Sequence, residues 1–158
     1  DRIDTLRVTY AGGRSESFLD WDDDRYESKP TAERFQYGPW SWPLVHAWAS
    51  SLDFLDGYGG EAIACRTAAL TSQLKKGLHG IDGVNVLTPQ SFARSAALVT
   101  FTVPGDPVVL QDRLRDRWNI VIKATHSTLD GLRASIPFFL LEDEVDLLIE
   151  AISKEVIE

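Results

Sequence analysis

A chain of 158 residues with 44% hydrophobic and 25% charged side chains can build one domain with a sizeable core, or one domain and a tail, but hardly two full domains. Sixteen basic against twenty-four acidic residues leave a net charge of −8, which repels phosphate backbones and anionic lipid, and no basic stripe offsets it locally. No apolar run approaches the roughly 20 residues of a membrane span, so neither nucleic acid nor a membrane is an expected partner.

The chain begins at Asp1 rather than methionine, directly before "TLRVTY", where Leu6, Val8 and Tyr10 alternate with polar neighbours and predict a strand. This start reads like a piece cut from something longer, with a trimmed disordered start or a cleaved leader as alternatives. "AGGRSES" follows as a turn, and the acidic run through "DWDDDRYESKPTAER" predicts a surface excursion from Ala11 to Glu33. "RFQYGPWSWP" then brings four aromatic rings close to a Gly-Pro pair. Pro43 suits the first turn of a helix, "PLVHAWASSLDFLDGYGG", with Leu44, Ala47, Trp48, Leu52 and Leu55 on its inward face and glycines at its end.

A longer helix is expected from Glu61 to Leu78, because Ile63, Leu70, Leu74, Leu78 and Ile81 recur at helical spacing until Gly80 and Gly83 stop it. The single cysteine, Cys65, falls within this helix as a small buried or half-buried filler. Lacking a partner for a disulfide, it fits a reducing, cytoplasmic setting. "VNVLTP" and "ALVTFTV" predict two strands, "DPVVLQDRLRDRW" a short helix with Val109, Leu110 and Leu114 inward, and "NIVIKAT" and "GLRASIPFF" two more strands. The last helix, "EDEVDLLIEAISKEVI", turns Val145, Leu148, Ile149, Ile152 and Val156 inward and carries acids in its first turn, where the helix dipole favours them.

After the opening strand the order is helix, helix, strand, strand, helix, strand, strand, helix. This predicts an α+β fold: a small, mostly antiparallel sheet covered on one face by helices and preceded by a long helix pair. In "GLRASI", Leu132, Ala134 and Ile136 alternate with Arg133 and Ser135. If helices cover the apolar side, Arg133 stands on the open one, facing solvent or a site that needs a fixed cation.

Two segments are similar to the C-terminal small domain of fold-type-I pyridoxal-phosphate enzymes of the class-V aminotransferase group, which includes cysteine desulfurases, selenocysteine lyases, C–S lyases and isopenicillin N epimerase. "RFQYGPW", Arg34 to Trp40, resembles the family's Arg-Phe-Glu-x-Gly-Thr stretch ahead of a long helix. "NIVIKATHSTLDGLRASIPFFLLEDEVDLLIEAI" resembles its Gly-Ile-x-Val strand, loop, Arg-x-Ser strand, aromatic pair and final helix. The resemblance implies that Arg133 grips the α-carboxylate of an amino-acid substrate, a task that suits a guanidinium fork. It also implies pyridoxal phosphate as cofactor, bound mainly by a missing large domain, and a homodimer. The division it suggests is a linker and active-site-proximal segment over residues 1–43 and the small domain over 44–158.

None of Lys29, Lys75, Lys76, Lys123 or Lys154 sits in the context of the family's cofactor-binding lysine, which is expected upstream, so no catalytic residue is assigned within this chain and the chain alone is expected to be inactive. The family threonine that reaches a partner subunit's cofactor phosphate is replaced by Pro39, after Gly38, leaving Ser41 or the Trp40 amide as substitutes. The loop "KATHSTLDG" holds no cysteine, which disfavours a thiol-based desulfurase and leaves an aminotransferase, a C–S lyase or an epimerase. His126 in that loop is a candidate for substrate binding or proton transfer. Leu140 and Leu141 stand where the family starts its last helix with Asn-Thr, so Glu142 or Asp143 is expected to cap it. No group of residues has the spacing of a metal site. A stand-alone small-molecule-binding module is the alternative reading, and a hydrolase built on Ser127 and His126 is weaker because the strand-to-helix elbow such enzymes need is absent.

Overall fold

The computed structural model describes residues 2–125 and 129–157. The chain divides into two units, Asp1–Phe54 and Leu55–Glu158, with the boundary inside the first long helix.

In the first unit, "TLRVTY" does not form the expected strand. One turn of 3-10 helix covers Ile3–Thr5, and residues 7–10 are irregular, with Leu6 and Tyr10 exposed. Alternation supplies a face but no neighbour, and a strand without a ladder leaves its backbone groups unpaired. The expected excursion, by contrast, contains a β-hairpin of strands β1 (Glu16–Asp20) and β2 (Arg25–Ser28). Its turn is organised by Asp20, whose Oδ1 accepts from the Asp22 N–H at 3.0 Å, and by Asp24 in the left-handed region at φ 52°. The acids that suggested coil are thus the turn chemistry of a hairpin.

Helix α1 spans Trp42–Tyr58. The face expected to point inward is not buried: Leu44 and Trp48 are 71% and 68% exposed, and Leu52 and Leu55 are also exposed. A helical apolar stripe marks a face that needs cover, and nothing in the local pattern says which polypeptide supplies it.

The second unit is the α+β layer structure. Helix α2 (Gly60–His79) is followed by β3 (Asn85–Val86), β4 (Leu98–Thr102), helix α3 (Pro107–Trp118), β5 (Lys123–Thr125), β6 (Gly131–Ser135) and helix α4 (Glu142–Ile157). The sheet order is β3-β4-β6-β5 with every neighbouring pair antiparallel. Helices α2 and α3 pack against the sheet, and α4 packs against both helices. Val99, Phe101, Ala124, Leu132 and Ala134 point into this layer with Leu70, Leu74, Leu78, Leu114 and Ile152. Each fully buried leucine contributes about 1.5–3 kcal/mol through the area it removes from water. The opposite sheet face carries Leu98, Lys123, Arg133 and Ser135, all exposed.

Local signals set several boundaries. Asp106 caps α3, its Oδ1 accepting from the Val108 N–H at 2.8 Å, with Pro107 in the first turn and Asn119 left-handed at φ 54° behind the last. Within α3, Leu110 and Leu114 are buried, but Val109 is exposed rather than inward. Glycine at position 77 lets α4 approach α2, since a Cβ there would lie 2.3 Å from Ile149 Cδ1. Cys65 is exposed, not buried, because it stands two residues, about 200° of helix, from the inward Thr67. The acid that reaches back to the residue before α4 is Glu144, not the expected Glu142 or Asp143. It accepts from the Leu141 N–H at 2.8 Å, half of a capping box. Glu142 instead meets Arg66 of α2 through both carboxylate oxygens, and Arg66 also donates to Leu140 O at 2.8 Å. The guanidinium holds the Glu142 carboxyl down at about 2.

Candidate functional site

Arg133 stands where the alternation of β6 puts it, on the uncovered face and exposed, between the buried Leu132 and Ala134. β6 is an inner strand. Arg133 therefore lies opposite Thr100 of β4 on one side and Lys123 of β5 on the other. Close approach of β6 to β4 depends on Gly131, since a Cβ at that position would meet Phe101 O at 2.4 Å. The edge strand β5 begins at Lys123, so Ser135, two residues past Arg133, has no β5 partner.

At this open corner lies a cleft of about 290 Å³, lined by Gln111 and Arg115 of α3, by Val121, Ile122 and Lys123, and by Arg133 and Ser135. Gln111 Oε1 accepts from the Ala124 N–H at 2.7 Å, which satisfies an edge-strand donor and fixes α3 against β5. On α3, Arg113 and Arg117 turn to Glu155 at 4.0 and 3.0 Å, and Glu155 also accepts from Trp118 Nε1 at 3.0 Å. These donors hold the Glu155 carboxyl below its ordinary range, the indole hydrogen bond foremost. Arg115 lies between those two arginines in sequence and so on the other side of the helix, at the cleft. Among the described residues, no ion pair involves Arg115, Lys123 or Arg133. A larger cleft of about 500 Å³ shares Val121, Ile122 and Ser135 but has Glu144 as its one charged side chain, which suits no carboxylate.

His126, Ser127 and Thr128 lie outside the described residues. In the first unit, Gly38 borders a hollow of about 260 Å³ with Gly13, Arg14, Tyr37 and Pro39. Gly12 has no room for a Cβ, with Tyr37 O in its place, and Arg14 lies 5.7 Å from the Trp40 ring centroid. Ser41 is exposed immediately before α1, its carbonyl accepting from the Val45 N–H at 3.0 Å. Arg14 brings a cation, a donor of the kind a phosphate takes, to the hollow that Gly38 borders, whereas Ser41 is not among the residues lining it. Of the lysines, Lys29 and Lys154 pair with Glu33 and Glu150, the Lys75 amine donates to Pro89 O and Ser95 Oγ, and Lys123 is exposed at the Arg133 cleft.

The sequence signal for Arg133 was its period-two alternation. Arg115 and Gln111 carried no comparable signal, because they reach the cleft by helix-on-sheet packing. Lys123 would have needed the β5–β6 register. Among the described residues no cluster of metal-ligating side chains occurs, and no helix is long and apolar enough to cross a membrane.

The chain belongs to the class-V aminotransferase family, whose sequence profile matches residues 2–148. The family is one of pyridoxal-phosphate enzymes. Among solved structures, the chain is similar to the apo cysteine desulfurase of Thermococcus onnurineus NA1, with 22% identity and a TM-score of 0.80 over 99% of this chain and 41% of that one. The cystine C–S lyase C-DES, in complex with its product cysteine persulfide, is 21% identical with a TM-score of 0.75, over 96% of this chain and 39% of its own. The Escherichia coli cysteine desulfurase CsdA is 17% identical with a TM-score of 0.70, over 93% and 38%. The chain thus spans about two fifths of the length of these proteins, and at such identities the likeness establishes the fold.

Proposed function

We propose that the chain is the C-terminal portion of a pyridoxal-phosphate-dependent enzyme that acts on an amino acid as an aminotransferase, a C–S lyase or an epimerase, and that Arg133 anchors the substrate α-carboxylate. The observation that carries this is an arginine on the uncovered sheet face, bordering a cleft, with no carboxylate partner among the described residues. The cofactor, when bound, supplies an electron sink for charge developing at the amino acid's Cα. Arg133 binds and orients: its fork takes both carboxylate oxygens, and the two neighbouring strands hold its backbone in place. Ser135, on the same face, offers a hydroxyl toward the same cleft.

Residues 1–43 act as the linker and active-site-proximal segment and 44–158 as the small domain. Gly38 and Ser41 contribute to a partner subunit's phosphate site in a homodimer, His126 assists at the substrate, and the cofactor's lysine belongs to a large domain outside this chain, which alone is inactive. The unpaired thiol of Cys65 suits a reducing, cytoplasmic compartment.

The test is Arg133→Ala in the full-length protein. A charge-assisted bidentate contact of about 1.5–3 kcal/mol predicts that KM for amino acids rises about 10- to 100-fold with the absorbance of the bound cofactor intact. An unchanged KM removes Arg133 from the substrate.

A further inference from the structure

Three cations from three separate elements, Arg115 of α3, Lys123 of β5 and Arg133 of β6, border one cleft, and carboxylate recognition uses only one of them. Resting on the assignment of Arg133 above, we infer that Lys123 and Arg115 form a second anion subsite, so that the amino acid taken here carries an acidic side chain.

The register makes the case. Lys123 and Arg133 are directly opposed across an antiparallel pair, an arrangement that is destabilising by itself because like charges meet at short range. The chain has the means to neutralise them, with twenty-four acids against sixteen bases. Some cations elsewhere are paired, Arg34 with Asp4, Arg66 with Glu142, and Arg113 and Arg117 with Glu155. Arg7, Lys76 and Arg94 have no ion pair among the described residues; this corner differs in that three cations meet at one cleft. Yet among the described residues no carboxylate pairs with Lys123, Arg133 or Arg115. A basic corner left unneutralised on an acidic protein attracts anions, and a ligand with two anionic groups is the one that relieves the repulsion between opposed cations. One carboxylate occupies the Arg133 fork. The second group then lies toward Lys123 and Arg115, since β5 flanks β6 on the side where the cleft opens. The flexible ammonium of Lys123 and the guanidinium of Arg115 can both donate to a side-chain carboxylate or a phosphate ester, so the shared chemistry is an amino acid with an anionic side chain.

The experiment uses the full-length protein loaded with its cofactor and measures KM, or binding through the cofactor absorbance, for L-alanine, L-aspartate, L-glutamate and O-phospho-L-serine. The wild-type protein should favour the acidic amino acids over alanine. In Lys123→Gln the preference, expressed as the ratio of KM values, should collapse by about tenfold, with a smaller fall in Arg115→Gln. Arg133→Ala should instead weaken acidic and neutral amino acids alike. Which acidic ligand loses most separates a carboxylate from a phosphate ester. If Lys123→Gln leaves the ratio unchanged while Arg133→Ala still weakens every amino acid, the second subsite is overturned and the carboxylate anchor stands. If Arg133→Ala changes nothing, the underlying assignment fails and takes the subsite with it.

Discussion

Lys75 is 1% exposed, among the large fully buried side chains, and in no ion pair among the described residues. Its amine donates to Pro89 O and to Ser95 Oγ, each at 2.8 Å, and so ties α2 to the segment between β3 and β4. Two contributions compete. Replacement by alanine loses both hydrogen bonds and lifts the cost of burying a charge, and it also removes three methylenes at about 0.8 kcal/mol each and leaves a cavity, for a total loss of about 3–5 kcal/mol. Replacement by methionine keeps a stem of similar volume. It loses the two hydrogen bonds but also lifts the cost of burying a charge, so the net loss should be about 1 kcal/mol. Urea unfolding followed by far-UV circular dichroism resolves such a difference. If Lys75→Met costs as much as Lys75→Ala, the hydrogen bonds outweigh the packed stem and the reasoning is wrong.

The same residue sets a pH test. Burial pushes the Lys75 pKa down from 10.5, so above the depressed value and up to 10.5 the unfolded chain binds more protons than the folded one. Stability from this residue should therefore rise with pH across that window and fall as pH drops through the folded value, and the rise should vanish in Lys75→Met.

Gly77→Ala sets helix propensity against packing: alanine gains about 1 kcal/mol in a helix interior, but its Cβ would lie 2.3–2.9 Å from three atoms of Ile149, an overpacking cost of about 1–3 kcal/mol. A net loss is expected in urea unfolding, and a smaller loss in the Gly77→Ala/Ile149→Ala double variant than the single variants sum to; additivity would refute the contact. The Arg66–Glu142 pair makes an acid-limb prediction. With Glu142 held at about 2 against an ordinary 4.5, its contribution is complete above 4.5 and is lost as pH falls toward 2, and Glu142→Gln should remove that part of the acid transition.

Much of the second unit was legible residue by residue. The spacing of Leu70, Leu74 and Leu78 located α2, the Asp106–Pro107 pair marked the start of α3, and the element order from α1 to α4 followed from alternating periods. The first unit was less so. Its hairpin is held by Asp20 accepting from two amides and by the left-handed Asp24, and an acidic run reads equally well as solvated coil. The start of α4 at Glu142 was legible, but the acid that reaches back to the Leu141 N–H is Glu144, while Glu142, the first acid in line, meets Arg66 on another helix.

Local chemistry, acting within a few residues, determined which side chains share a face, where α3 begins, and that Arg133 and Ser135 stand together on the opposite side of their strand from Leu132 and Ala134. Which face is covered depends on what packs there, and that is decided by pairing between residues far apart in the chain. Only the tertiary structure brought Lys123 opposite Arg133, carried Arg115 to the same cleft, turned Cys65 outward and left the apolar stripe of α1 exposed. Register and helix-on-sheet packing set these positions, and neither leaves a period in the sequence.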